Sequence, residues 1–142
     1  MIRAADDLAI AEAGRLIRAG GLVALPTETV YGLGADALNA DACARIFEAK
    51  RRPLFDPLIC HIADIAMLER FAEPPSGMAL QLCERFWPGP LTVILPKKDI
   101  LPGIVTSGLS TVAVRMPEHP VALGVIRAAD TPVAAPSANP FG

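Results

Sequence analysis

The sequence is poor in the residues that build metal centres and disulfide frameworks. It has three cysteines and two histidines among 142 residues. Cys43, Cys60 and Cys83 are odd in number and widely spaced, with no C-x-x-C pair and no ligand set with His61 and His119. That spacing supports neither a disulfide scaffold nor a resident metal site, and the thiols read as buried small hydrophobes in a reducing compartment. Long apolar runs are missing too. The amino-terminal stretch MIRAADDLAIAEAGRLIRAGG carries charges throughout, unlike a signal peptide, and no run reaches the roughly 18 apolar residues of a membrane span. A soluble, cytoplasmic protein is expected. Charge of one sign is also lacking: 13 Lys and Arg face 15 Asp and Glu, for a net charge of −2. A protein that coats nucleic acid would be strongly basic, so only a local basic groove remains compatible.

What is present describes a folded domain. Hydrophobic residues make up 52% and charged residues 20%, with a mean hydropathy of +0.41. A disordered tail could not reach that balance. The length suits one domain over 1–142, and 14 prolines favour strands and loops over a helical bundle.

Apolar periodicity alternates between two kinds of segment. Helices are expected over 7–19, ended by Gly20-Gly21; over 40–51, capped by Asn39 or Asp41; over 65–71 after Asp64; over 76–86 from Ser76; and over 120–129. Strands are expected over 22–25 as a buried run, and over 58–62, 91–95, 111–115 and 132–135. Residues 27–36 read as a Thr- and Gly-rich loop, and Trp87-Pro88-Gly89-Pro90 as a structural turn. The alternation predicts an α/β fold, a mixed and partly parallel open sheet with helices packed on it. The chain stops in a loop after Ser137-Ala138-Asn139, so the sheet reads as truncated at its carboxyl end. Four polar strand-end loops, 27–31, 50–56, 107–111 and 137–139, are where ligands of such folds gather.

Each chemical motif has a plain structural alternative. Thr27, Glu28, Thr29 and Tyr31 can bind an amino or hydroxyl group, or form an ordinary turn. Gly32-x-Gly34-x-x-Ala37 matches a relaxed dinucleotide fingerprint, but Thr27 to Tyr31 intervene between the strand and the first glycine, and the fingerprint is discounted. Lys50, Arg51 and Arg52 can clamp a polyphosphate, or simply meet a helix dipole. His61, between Cys60 and Ile62, is more often a core residue than a ligand. Arg115 at a strand end can receive a carboxylate or phosphate, although a surface salt bridge is the commoner use. Ser137 and Asn139 offer donors, or cap a helix. No Walker loop, Ser-His-Asp set or metal cluster can be assembled. Cations and hydroxyls predominate, which fits a reaction in which anions are brought together and neutralised.

Five strings occur in order: LPTETVYGLGADA, AKRRPLFDPLICHI, WPGPLTVIL, TVAVRMPEHP and PVAAPSAN. Together they resemble the YrdC-like family of threonylcarbamoyl-AMP synthases, from Ala4 onward. The resemblance implies a YrdC-like twisted sheet and an ATP-dependent nucleotidyltransferase. It would form L-threonylcarbamoyladenylate and pyrophosphate from L-threonine, bicarbonate and ATP, with Mg²⁺ accompanying ATP. A downstream tRNA threonylcarbamoyl transferase complex would use the product on adenosine 37 of tRNAs reading codons that begin with A.

By the same resemblance, Thr29, His61, Arg115 and Ala135 look like threonine contacts, with Thr27 and Tyr31 shaping that pocket. Lys50 and Arg52 look like the charge neutralisers of catalysis. Arg52, Asp56, Thr111, Ser137 and Asn139 look like the ATP side. The family usually carries Asn where this chain has Asp56. A carboxylate cannot donate to a nucleotide, which turns Asp56 towards Mg²⁺ or Arg52. Two other classes compete. One is a double-stranded RNA or tRNA-binding module, which the acidity disfavours; the other is the carbamoyl-transfer module of hydrogenase maturation proteins, whose longer chains add zinc-finger cysteines.

Overall fold

In the computed structural model, which describes residues 6–26, 31–50 and 57–136, the first helix follows its caps. The Asp6 carboxylate accepts from the Ala9 N–H at 2.8 Å and opens α1 (Asp7–Arg18). The helix ends at Ala19, after which Gly20 takes a φ of +95°. A left-handed turn there suits glycine, which has no Cβ to clash.

β1 (Val23–Pro26) and β2 (Tyr31–Asp36) form an antiparallel hairpin, with Pro26 opposite Tyr31. Two sequence expectations are corrected here. The segment 31–36 is a strand and not a loop, and β1 is an edge strand with Leu25 buried and Ala24 exposed, not a buried run. Gly34 explains why β2 is glycine-rich. A Cβ there would lie 2.7 Å from Cγ1 of Val133 and 3.1 Å from Cδ2 of Leu25.

Asn39, rather than Asp41, caps α2 (Ala40–Lys50), its side-chain oxygen accepting from the Ala42 N–H at 3.0 Å. Ile46 and Phe47 face inward as expected. β3 (Ile59–His61) leads to α3 (Ile65–Leu68), capped by Asp64. Ser76 stands at the N-cap of α4 (Gly77–Phe86), but its side chain makes no capping hydrogen bond. β4 (Thr92–Pro96), α5 (Gly103–Thr106), β5 (Thr111–Arg115), α6 (Pro120–Ala129) and β6 (Val133–Ala135) complete the order. The short α5 was not expected from the sequence.

The strands make one sheet in the order β1-β2-β6-β3-β5-β4. Among the described residues only β3 and β5 run parallel, and every other neighbouring pair is antiparallel. The sheet is therefore mixed, with less parallel character than strand–helix alternation suggests.

Strand alternation separates two faces. On one, Ala35, Ala134, Cys60, Val112, Val114, Val93 and Leu95 are all buried. α2 packs on β2, and its Cys43, Ile46 and Phe47 are buried with this layer; α5 touches α2 and β5. On the other face α1 and α6 pack on each other and over the β1–β2 end, where Leu25 is buried. The two helices are so close that a Cβ on Gly14 would come 2.5 Å from that of Ala128. Among the described residues, the same face is more exposed over β3, β5 and β4. Ile94 there is 63% exposed, Thr92 is exposed, and Ile59, Thr111 and Ala113 are half-buried.

Candidate functional site

Register sets out the open face in rungs. One rung joins His61, Arg115 and Thr92 across β3, β5 and β4. The next joins Ile59, Ala113 and Ile94, and the third pairs Thr111 with Pro96. A polar rung thus lies beside an apolar one, with a threonine hydroxyl beyond.

His61 is buried, and its Nδ1 lies 3.3 Å from the carbonyl oxygen of Val133. A carbonyl only accepts, so in this contact Nδ1 is the donor. His61 is thus buried and hydrogen-bonded, as the core alternative expects, and it shares a rung with Arg115. Arg115 is 8% exposed, which corrects the surface salt-bridge alternative. Its Nε donates to the Gly89 carbonyl oxygen at 3.3 Å, and its own carbonyl accepts from the Ile62 N–H at 3.0 Å. The two residues arrive from strands far apart in sequence and sit side by side because β3 and β5 are parallel and in register.

A second cluster forms at the opposite end of these strands. Pro26 and Tyr31 are paired there, and a Cβ on Gly32 would lie 3.5 Å from that of Ala135. Ala135 is paired with Ile59, and Ile59 with Ala113, two residues after Thr111. The stems of three motif-bearing segments, 27–30, 51–56 and 137–142, therefore stand at the end of the sheet where Thr111 begins β5. Lys50 closes α2, half-buried. Ala135 is buried in the sheet. Thr27, Thr29, Arg52, Asp56, Ser137 and Asn139 lie outside the described residues, and Tyr31 is the first residue of β2.

Three supporting groups escaped the sequence reading. The Val133 and Gly89 carbonyls are backbone atoms with no side-chain signature. The third is a bridge from the Thr131 hydroxyl to the Asp36 carboxylate at 2.8 Å, which ties the end of β2 to the start of β6. Gly32 and Gly34 lie inside a strand and not at a strand–helix turn, so the dinucleotide pattern has no structural counterpart.

Among the described residues no three His, Cys, Asp or Glu side chains stand together as a metal-ligand set. The three cysteines are free and buried. Burial, with Asp36 adding to it, pushes the Cys43 thiol up to about 12, and burial raises Cys60 and Cys83 as well. Such thiols are protonated at neutral pH and unsuited to nucleophilic or ligand roles. No helix among the described residues is long and apolar enough to cross a membrane.

Comparison with known proteins adds to this geometry. The family model Sua5/YciO/YrdC, described as "Telomere recombination", matches residues 15–142. A Bacillus subtilis (strain 168) protein named threonylcarbamoyl-AMP synthase is 56% identical over 138 residues, 96% of this chain and 40% of that protein. A Pyrococcus abyssi (strain GE5 / Orsay) protein of the same name is 54% identical over 137 residues, with the same 96% and 40% coverage. The crystal structure of P. abyssi Sua5 complexed with L-threonine superposes with a TM-score of 0.92 at 54% identity, covering 96% of this chain and 40% of that one. This chain spans about two fifths (40%) of the length of those two curated relatives. With one continuous match from residue 15 onward and the same sheet, the chain belongs to the Sua5/YciO/YrdC family.

Proposed function

We propose that this chain condenses L-threonine, bicarbonate and ATP into L-threonylcarbamoyladenylate and pyrophosphate. The observation that carries the reading is 54–56% identity, across 96% of the chain, to two proteins named threonylcarbamoyl-AMP synthase. The solved neighbour complexed with L-threonine supports the amino acid as one substrate.

The open face suits that amino acid. Arg115 is a fork for its carboxylate, and Nε2 of His61, one strand away, accepts from its hydroxyl or amino group. The amine attacks the bicarbonate carbon and water leaves, giving a carbamate that is already anionic. A carbamate oxygen then attacks the α-phosphorus and pyrophosphate departs. No strong base is required for that second step, so the protein's task is to neutralise and align anions. Lys50 and Arg52 take the polyphosphate and carbamate charge. Thr111, Ser137, Asn139 and Asp56 line the nucleotide side. Thr27, Thr29, Tyr31 and Ala135 line the threonine side. Mg²⁺ enters as the counter-ion of ATP, and no step is assigned to a protein-held ion. The product goes to a tRNA threonylcarbamoyl transferase complex acting on adenosine 37, a role that suits a cytoplasmic protein.

The test incubates the protein with threonine, ¹³C-bicarbonate and ATP–Mg²⁺, followed by mass spectrometry. The expected result is an adenylate carrying the heavy carbon, formed only when all three substrates are present. A salt-sensitive tRNA gel shift without pyrophosphate release would turn the assignment to an RNA-binding module.

A further inference from the structure

We propose that the Trp87–Pro90 turn is a positioning element for Arg115, orienting the guanidinium plane towards a carboxylate on the open face. The inference rests on the threonine-binding reading above. The turn is bound to β5 in two directions. The Gly89 N–H donates to the Met116 carbonyl at 2.8 Å, and the Gly89 carbonyl accepts from Nε of Arg115 at 3.3 Å. One residue therefore grips both the backbone beyond Arg115 and the side chain itself.

The turn is anchored in turn by its aromatic end. The Trp87 indole is half-buried against the core, and its Nε1 donates to the Leu91 carbonyl at 2.8 Å. The Trp87 N–H donates to the Cys83 carbonyl at 2.9 Å, tying the turn to α4. Gly89 has no room for a side chain: a Cβ would lie 2.4 Å from the Phe86 carbonyl oxygen, a backbone atom.

Arginine's long side chain loses much rotamer freedom when it is ordered, and fork recognition of a carboxylate depends on the orientation of its plane. A backbone carbonyl on Nε fixes that plane before the ligand arrives, so less ordering remains to be done on binding. A turn that merely ended α4 would need no contact with Arg115.

The experiment uses Gly89→Ala and Trp87→Phe. Calorimetry measures threonine and ATP separately, and NMR follows exchange of the Arg115 Nε–H. Threonine affinity is expected to fall about tenfold in each folded variant while ATP affinity stays within about twofold. The Nε–H should exchange faster in both. Unchanged threonine affinity in a folded variant overturns the proposal, as does equal weakening of threonine and ATP. If Gly89→Ala fails to fold, Trp87→Phe carries the test alone, since it keeps the ring and removes the indole donor. Absence of threonine binding by the unmodified chain refutes the functional reading instead, and unaltered Nε–H exchange in the variants refutes the clamp on its own.

Discussion

Two glycines two residues apart in β2, Gly32 and Gly34, should respond to alanine with opposite signs. At Gly34 a new methyl would sit 2.7 Å from Cγ1 of Val133 and 3.1 Å from Cδ2 of Leu25. Those neighbours are 1% and 5% exposed, so neither can swing into solvent. Overpacking of this kind costs about 1–3 kcal/mol. Against it stands the roughly 0.5–1 kcal/mol gained by removing glycine's unfolded-state freedom. The net should be a loss of about 1–2 kcal/mol, lowering the urea midpoint by roughly 0.5–1 M at ordinary m-values. At Gly32 the nearest atoms are the Ala135 Cβ at 3.5 Å and the Pro136 carbonyl oxygen at 3.9 Å, both ordinary contacts. Only the entropic gain remains, so Gly32→Ala should raise the midpoint slightly. Urea titrations of both variants, followed by tryptophan fluorescence and circular dichroism, decide the matter. A Gly34→Ala midpoint at or above that of the parent would refute the packing argument, and so would equal losses for the two variants.

Three further outcomes follow from the site and the core. Arg115→Ala should weaken threonine by about 2–4 kcal/mol and ATP far less, since a charged contact is lost and a substrate charge is left unpaired; calorimetry with unchanged threonine affinity counts against the carboxylate role. Lys50→Gln with Arg52→Gln should slow pyrophosphate release about 10²–10³-fold if both neutralise developing charge, whereas helix-end cations alone would leave turnover intact. Because the folded-state Cys43 thiol titrates only at about 12, above the roughly 8.5 of an unfolded cysteine, the unfolded chain releases this proton first. Stability should therefore fall as pH rises from about 9 towards 12. A flat urea midpoint across that window, or rapid labelling of Cys43 by a thiol reagent at pH 8 without unfolding, would contradict the burial.

Much of the fold is legible in local chemistry. Strand 111–115 and helix 120–129 match the expected limits, because an alternating run between polar turns and a proline-started helix are strong local signals. β2 was hidden because Gly32 and Gly34 have no strand propensity of their own; Val133 and Leu25, distant in sequence, supply the reason for Gly34. α5 was hidden because four residues after Pro102 hold no helical period. β1 appeared buried because four apolar residues in a row do not reveal which side lacks a neighbour. For the site, the chain shows which residues carry charge and hydroxyls. That His61 and Arg115 meet is implied only by the family resemblance and not by local chemistry, since it depends on β3 lying beside β5, a long-range pairing with no local mark.

The shared rung of His61 and Arg115 also joins the proposed site to foldedness. Strand side chains alternate, so a one-residue slip of either strand would turn its functional side chain into the apolar layer and expose Cys60, or Val112 and Val114, in its place. The alignment that assembles the site is thus the alignment that fills the core, and misaligned molecules with an intact core are excluded. Insertions or deletions within 59–61 or 111–115 would destroy both at once. The 107–109 turn, where Ser107 and Gly108 already adopt left-handed backbone and Gly108 and Leu109 are exposed, can change length at far lower cost. A library of functional variants should therefore tolerate length changes in that turn and almost none in the two parallel strands.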